Sequence, residues 1–297
     1  MFSGMSAFPL TPMNEEGIDE SAFLTLIQRL VQSEVDSIGV LGSTGSYAYL
    51  TIEQRMHIAK LAIEQASGVP VIVGVSALRT KDVLTLVEDA DKQGASAVLL
   101  APMSYQKLSE DDVYQLYQTV SEASRLPICV YDNPATTHFE FSDDLYARIS
   151  LLENVCSIKI PGVPTDPQAA KARVKHLRSI VPSDVSIGVS GDAFAANGLN
   201  AGCDVWYSVV GGLYPKAALS ITRAAQSGHA EEAVRLSEHL QPLWEQYAKN
   251  NGSLRVIASA AELEKLVKSP SLPLPLRSLE GKNRSQLARF LAENTLA

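Results

Sequence analysis

Residues 155–189 read VCSIKIPGVPTDPQAAKARVKHLRSIVPSDVSIGV. The stretch holds an apolar run, Val155–Ile160, a Pro-Gly turn, a helical segment, Gln168–Ile180, and a second apolar run, Val185–Val189. Runs of this kind, apolar on both faces, are how parallel strands covered on two sides read. The same unit recurs along the chain. Further strand candidates are Ser37–Leu41, Val69–Val75, Ala97–Leu100, Pro127–Tyr131 and Val205–Val209, with a weaker one at Gly4–Phe8. Helical segments fit between them: Ser21–Ser33, Thr51–Ala66, Lys81–Gln93, Ser109–Ser124, Ser142–Leu152, Asp192–Ala201 and Pro215–Gln226. In the first of these Phe23, Leu24, Ile27, Leu30 and Val31 form one stripe, while Thr51 with Gln54 and Ser109 with Asp112 have capping-box spacing. Strands and helices in strict alternation predict a (β/α)8 barrel over residues 1–228. An open doubly wound sheet is the alternative, but neither GxGxxG nor GxxxxGK[ST] is present.

After Gly228 the strand signals stop. Glu231–Lys249, Ser253–Val267 and Arg284–Asn294 read as helices around the Pro-rich Ser269–Leu276, so residues 229–297 are expected to form a helical appendix.

Composition bounds the function. The 297 residues include 25 Lys+Arg and 33 Asp+Glu, a net charge of −8, with 46% hydrophobic and 20% charged residues, 18 Gly and 15 Pro. That is globular composition. An acidic chain without a cationic cluster argues against nucleic acid and anionic membranes as partners. The three cysteines, Cys129, Cys156 and Cys203, lie in apolar runs without CxxC spacing, which suits a reducing compartment. No signal peptide and no membrane-length apolar stretch is visible, so a cytoplasmic protein is expected.

Barrels place their chemistry at the carboxyl ends of the strands. Lys159 ends the run Val155–Ile160; burial there would lower its pKa and make it a nucleophile for a carbonyl carbon, or else it snorkels to solvent. Tyr131 ends the preceding strand, beside Lys159, where a phenol can shuttle protons or simply pack its ring. Gly42-Ser43-Thr44-Gly45 is either a plain turn or one that presents N–H and O–H groups to a carboxylate. In Ser190-Gly191-Asp192, Asp192 reads as a helix N-cap ahead of a substrate contact. Arg79, after the third strand, is an exposed loop residue or a holder of an anionic substrate group. The five histidines, His57, His138, His176, His229 and His239, have no metal-ligand spacing, and there is no GxSxG elbow.

Taken in order, the GSTG turn, the strand-ending Tyr131, the Ile158-Lys159 pair and the Ser190-Gly191-Asp192 triplet resemble the dihydrodipicolinate synthase / N-acetylneuraminate lyase family of class I aldolases. Thr11-Pro12 with Gly17-Ile18-Asp19, residues 228–233 and the Pro-rich Leu272–Leu279 extend the likeness along the chain. The resemblance implies that Lys159 forms a Schiff base with pyruvate or a related 2-oxo acid, and that Tyr131 relays protons. It further implies that Ser43 and Thr44 hold the carboxylate, with Ser43 joining the relay, and that no metal or diffusible cofactor takes part; Gly191, Asp192 and Arg79, from their places at the strand ends, are expected to line the substrate site. It also implies a homotetramer built as a dimer of dimers. Four positions depart from the family pattern. Thr136 stands where the synthases carry an arginine for a second carboxylate, and Ser104, beside Tyr105, stands in a stretch usually richer in tyrosine. Ser46 replaces the usual Glu, and Ala193 follows Asp192. The expected activity is therefore a lyase of unassigned aldehyde. The alternatives are a 2-oxo sugar acid dehydratase using the same imine, a dihydrodipicolinate synthase with Arg79 replacing the missing arginine, and a barrel that binds a metabolite without turnover.

Overall fold

The computed structural model describes residues 2–294 and 296. Eight parallel strands close into a barrel: β1 (Gly4–Ala7), β2 (Ser37–Val40), β3 (Val71–Gly74), β4 (Ala97–Leu100), β5 (Ile128–Tyr131), β6 (Val155–Ile160), β7 (Ser186–Val189) and β8 (Val205–Ser208). Each strand pairs with the next in sequence, and β1 closes the ring between β8 and β2. The intervening helices are α1 (Glu20–Gln32), α2 (Ile52–Gln65), α3 (Thr80–Gln93), α4 (Glu110–Ala123), α5 (Asp143–Ser150), α6 (Pro167–Ile180), α7 (Ala195–Asn200) and α8 (Pro215–Gln226). The sequence thus delivers the (β/α)8 fold it predicts, with most element ends within a residue or two.

Local chemistry explains the helix starts. Thr51 and Ser109 make reciprocal capping boxes with Gln54 and Asp112, which satisfy backbone N–H groups that have no partner inside the helix. Asp19 and Asp166 cap α1 and α6 in one direction, their side chains accepting from Ala22 N and Ala169 N. Two hydrophobic layers result. One lies between strands and helices. The other fills the barrel interior with Phe8, Ile72, Leu99, Cys129, Tyr131, Val205 and Tyr207.

Some expectations need correction. The segment Asp192–Ala201 begins as a 3₁₀ turn, Asp192–Phe194, capped by Gly191, so Asp192 is not the N-cap. The predicted helix Glu231–Lys249 is two helices, α9 (Ala230–His239) and α10 (Gln241–Lys249), joined at Leu240. Pro242 supplies no N–H to the preceding turn, so the helix restarts there. Ser253–Val267 shortens to α11 (Leu254–Leu263), and the last helix, α12, runs from Gly281 to Glu293. A small antiparallel hairpin, Met13–Asn14 with Gly17–Ile18, follows β1 where the sequence shows only a turn.

The segment after α11 is held by one carboxylate. Glu262, 1% exposed at its side chain, accepts hydrogen bonds from Ser269 Oγ, from Ser271 N and Oγ, from Ser278 Oγ and from Arg284 Nη1 at 2.6–3.1 Å. Burial pushes its pKa up, but the bonds from Ser278, Arg284, Ser271 and Ser269 outweigh burial and hold it below the ordinary glutamate value. A carboxylate with a depressed folded-state pKa stabilises above its unfolded pKa and loses that contribution as pH falls through the folded value. Glu262→Ala should therefore destabilise the fold by about 3 kcal/mol at neutral pH, with the gap from wild type closing in acid. Thermal melts at several pH values check this.

Candidate active site

Register brings the sequence-predicted pair together. Tyr131 on β5 sits directly beside Lys159 on β6, and Lys159 in turn faces Gly188 on β7. Lys159 is 4% exposed. Its Nζ lies 4.1 Å from the ring centre of Phe8, 4.1 Å from that of Tyr131 and 5.5 Å from that of Tyr207. Room for these rings comes from two glycines. A Cβ on Gly39 would fall 2.3 Å from Phe8 Cζ, and one on Gly188 would fall 2.2 Å from Tyr207 Cε2. A larger residue at either place would displace an aromatic wall of the lysine.

Burial governs the amine. Desolvation pulls Lys159 down to about 8, and the smaller opposing effects of Cys129 and Asp192 do not offset it. About a tenth of the amine is therefore neutral at pH 7, far more than for a lysine in water. Below the lysine, Tyr207 Oη bonds Ser157 Oγ at 2.6 Å and receives the Cys129 thiol at 3.2 Å. These polar atoms satisfy one another inside the barrel, and burial pushes the Cys129 thiol up to about 11, so it remains a thiol.

The turn after β2 reaches the same point. Leu41 and Ser46 both take left-handed backbone conformations, and Ser46 N donates to Ser43 O, which folds residues 43–46 tightly over the strand end. Ser43 Oγ lies 3.2 Å from Tyr131 Oη. Thr44 is buried in the same turn. Burial raises the Tyr131 phenol, and hydrogen bonds to Ser43 and Asn133 act against that rise. Lys159, Tyr131 and the Ser43–Thr44 turn thus form one cluster.

The other candidates stand apart from it or are already engaged. Asp192 is 3% exposed; its Oδ1 accepts from Trp206 Nε1, Ser208 Oγ and Val209 N, and its Oδ2 from Val210 N. Its carboxylate ties the end of β8 to the loop after β7, which leaves little capacity for a substrate hydroxyl. Burial raises it to about 6 against those bonds. Gly191 is exposed, with φ +77°. Arg79 is exposed and begins α3 without capping it. Thr136 is exposed in the single turn Pro134–Thr137, and Tyr105 is 92% exposed.

Three participants were missed from sequence. Phe8 and Tyr207 are distant in the chain and reach Lys159 only through barrel closure. Asn133 donates from Nδ2 to Tyr131 Oη at 2.8 Å and to Ser43 Oγ at 3.3 Å. Its signal was available, because residues two apart along an extended chain share a face and Asn133 is two past Tyr131. Among the described residues no group of three or more His, Cys, Asp or Glu could hold a metal ion, and no helix is long and apolar enough to cross a membrane.

A closed parallel barrel with one buried, partly neutral lysine at the carboxyl ends of its strands defines a protein equipped to engage a carbonyl compound. Comparison with known proteins narrows the class. Residues 1–294 match the Dihydrodipicolinate synthetase family. The 4-hydroxy-tetrahydrodipicolinate synthase of Persephonella marina is 28% identical over 295 residues, covering 99% of this chain and 98% of that protein. The crystal structure of a dihydrodipicolinate synthase from Agrobacterium tumefaciens has 43% identity and a TM-score of 0.93, covering 98% of this chain and 97% of that one. A chloride-inhibited dihydrodipicolinate synthase from Acinetobacter baumannii, solved with pyruvate, has 25% identity and a TM-score of 0.88 over 99% of both chains. The chain belongs to the dihydrodipicolinate synthetase family and is a lyase of the class I, Schiff-base aldolase type.

The depressed lysine has a stability consequence. A lysine of lowered folded-state pKa opposes folding below that pKa, and the penalty fades as pH rises toward the ordinary value of 10.5. Lys159→Met should raise stability near pH 7 by about 3 kcal/mol and by much less at pH 10. Denaturant titrations at the two pH values measure the difference.

Proposed function

We propose that the protein forms an imine between Lys159 Nζ and C2 of pyruvate or a close 2-oxo acid, and makes or breaks a carbon–carbon bond at the adjacent carbon. The observation that carries this reading is the buried lysine beside a buried phenol, in register on neighbouring strands. The neutral amine adds to the carbonyl, and loss of water gives the iminium. The iminium draws electrons from C3, so an enamine can form there and attack an aldehyde, or the reverse cleavage can release one. In this reading Tyr131 passes protons, Ser43 joins it, and Thr44 with the turn's N–H groups receives the carboxylate. Residues 1–228 would carry the chemistry and residues 229–297 would brace the barrel.

The aldehyde is constrained by charge. The loop after β5 offers Thr136 at the rim, and Arg79 lies exposed after β3. A neutral, hydroxyl-bearing aldehyde suits that rim better than one with its own carboxylate. The pyruvate complex of the Acinetobacter baumannii relative supports pyruvate as the 2-oxo acid. We also propose a homotetramer built from dimers. Tyr105 and Leu78 project beside a groove of about 480 Å³ between the loops after β3 and β4, a face that a second copy would cover. The three unpaired cysteines suit the cytoplasm.

Borohydride reduction with pyruvate, followed by peptide mass spectrometry, tests the chemistry. The expected result is an adduct on Lys159 that Lys159→Ala abolishes. The rate of imine formation should rise with pH and level off above about 8, as the amine becomes neutral. Absence of an adduct with both pyruvate and larger 2-oxo acids would refute the reading. Sedimentation should give four copies, and Tyr105→Glu should shift the protein to smaller species.

A further inference from the structure

Three side chains, Tyr131 at the end of β5 and Ser43 and Asn133 in the loops after β2 and β5, form a closed triangle. Asn133 Nδ2 stands 2.8 Å from Tyr131 Oη and 3.3 Å from Ser43 Oγ, and the two hydroxyl oxygens are 3.2 Å apart. Counting protons shows what the amide does. The amide NH2 is donor only and supplies one hydrogen to each oxygen. One hydroxyl then donates to the other, and a single hydroxyl proton is left without a partner in the triangle. It is free to be given to a substrate.

We propose that Asn133 is the positioning residue of the proton relay: its amide holds Tyr131 and Ser43 in line and steadies the phenolate left when Tyr131 gives up its proton. The proposal rests on the Schiff-base reading above. The step balances. The Tyr131 O–H bond breaks and its electron pair stays on Oη; the proton joins the hydroxyl of the lysine adduct, whose C–O bond breaks to release water as the nitrogen lone pair forms the C=N bond. Asn133 N–H and Ser43 O–H then both point at that oxygen. A charged oxygen gains about twice as much from such donors as a neutral one, so the amide favours the proton-donated state over the resting phenol. The backbone sets its aim. Asn133, at φ −145° and ψ 72°, precedes Pro134, which starts the single turn to Thr137. Thr137 Oγ1 donates to Asn133 O at 3.0 Å, which ties down the same residue.

The test needs only pyruvate. Deuterium incorporation at C3 of pyruvate in D2O reads the proton transfers, and end-point borohydride trapping reads the lysine. Asn133→Asp keeps the shape but removes both donors, and Asn133→Ala removes the group. Both should trap pyruvate to the wild-type extent while exchange slows by about ten- to a hundredfold. The titratable groups around Tyr131 are Lys159 from β6, Tyr47 from the turn after β2, Cys129 from β5 and Asp132 directly after β5. All are retained in the variants, so the ratio of variant to wild-type rates isolates position 133. For Asn133→Asp that ratio should climb in acid, where the introduced carboxyl regains a donor hydrogen; for Asn133→Ala it should stay flat. Exchange by Asn133→Asp at the wild-type rate would overturn the proposal, as would equal losses of trapping and exchange, which mark a purely structural role. Failure of the wild type itself to trap pyruvate removes the Schiff-base reading and this proposal together.

Discussion

A single amine taken out of water inside a closed barrel is the constraint on which the site depends. Lys159 loses its hydration to the rings of Phe8, Tyr131 and Tyr207 and pays in basicity. Aromatic faces favour the charged ammonium, but only in part; the amine that emerges is still far less basic than a lysine in water. The surrounding sequence accommodates this arrangement. Gly39 and Gly188 make room for two of the rings, and β5 and β6 pair so that the phenol and the amine lie side by side.

The polar groups around this centre divide into those that remain free and those that are already engaged. Asp192, Ser157, Tyr207 and Cys129 are each already hydrogen-bonded to side chains or backbone of the barrel. Buried polar groups left unpaired would cost more than the lysine itself can return. Ser43, Tyr131 and Asn133 instead share an incomplete set of hydrogen bonds at the open end of the barrel. An incomplete set beside the lysine is where a substrate can add partners.

Membership of the dihydrodipicolinate synthetase family accounts for the scaffold and the lysine, while the rim carries this chain's own character. Thr136 and the exposed Tyr105 sit on loops, and loops set which second substrate a barrel accepts. The same scaffold can therefore keep its Schiff-base chemistry while the partner of the 2-oxo acid changes.

Much of this was legible in the chain before folding. Strand and helix periodicity determined the barrel, because parallel strands buried on both faces and one-sided helices each leave a periodic trace in the residues themselves. Lys159, Tyr131 and Ser43 were legible for the same reason: each is a polar residue at the end of an apolar run. Asp192 was misjudged as a cap because its four partners lie 14 to 18 residues ahead, beyond any local pattern. The break at Leu240 was overlooked although Pro242 marks it. Phe8 and Tyr207 became walls of the site only when the first and last strands met, and the basicity of Lys159 followed from that burial. Order along the chain determined which groups stand at strand ends; closure of the ring decided which of them touch and how much water they lose.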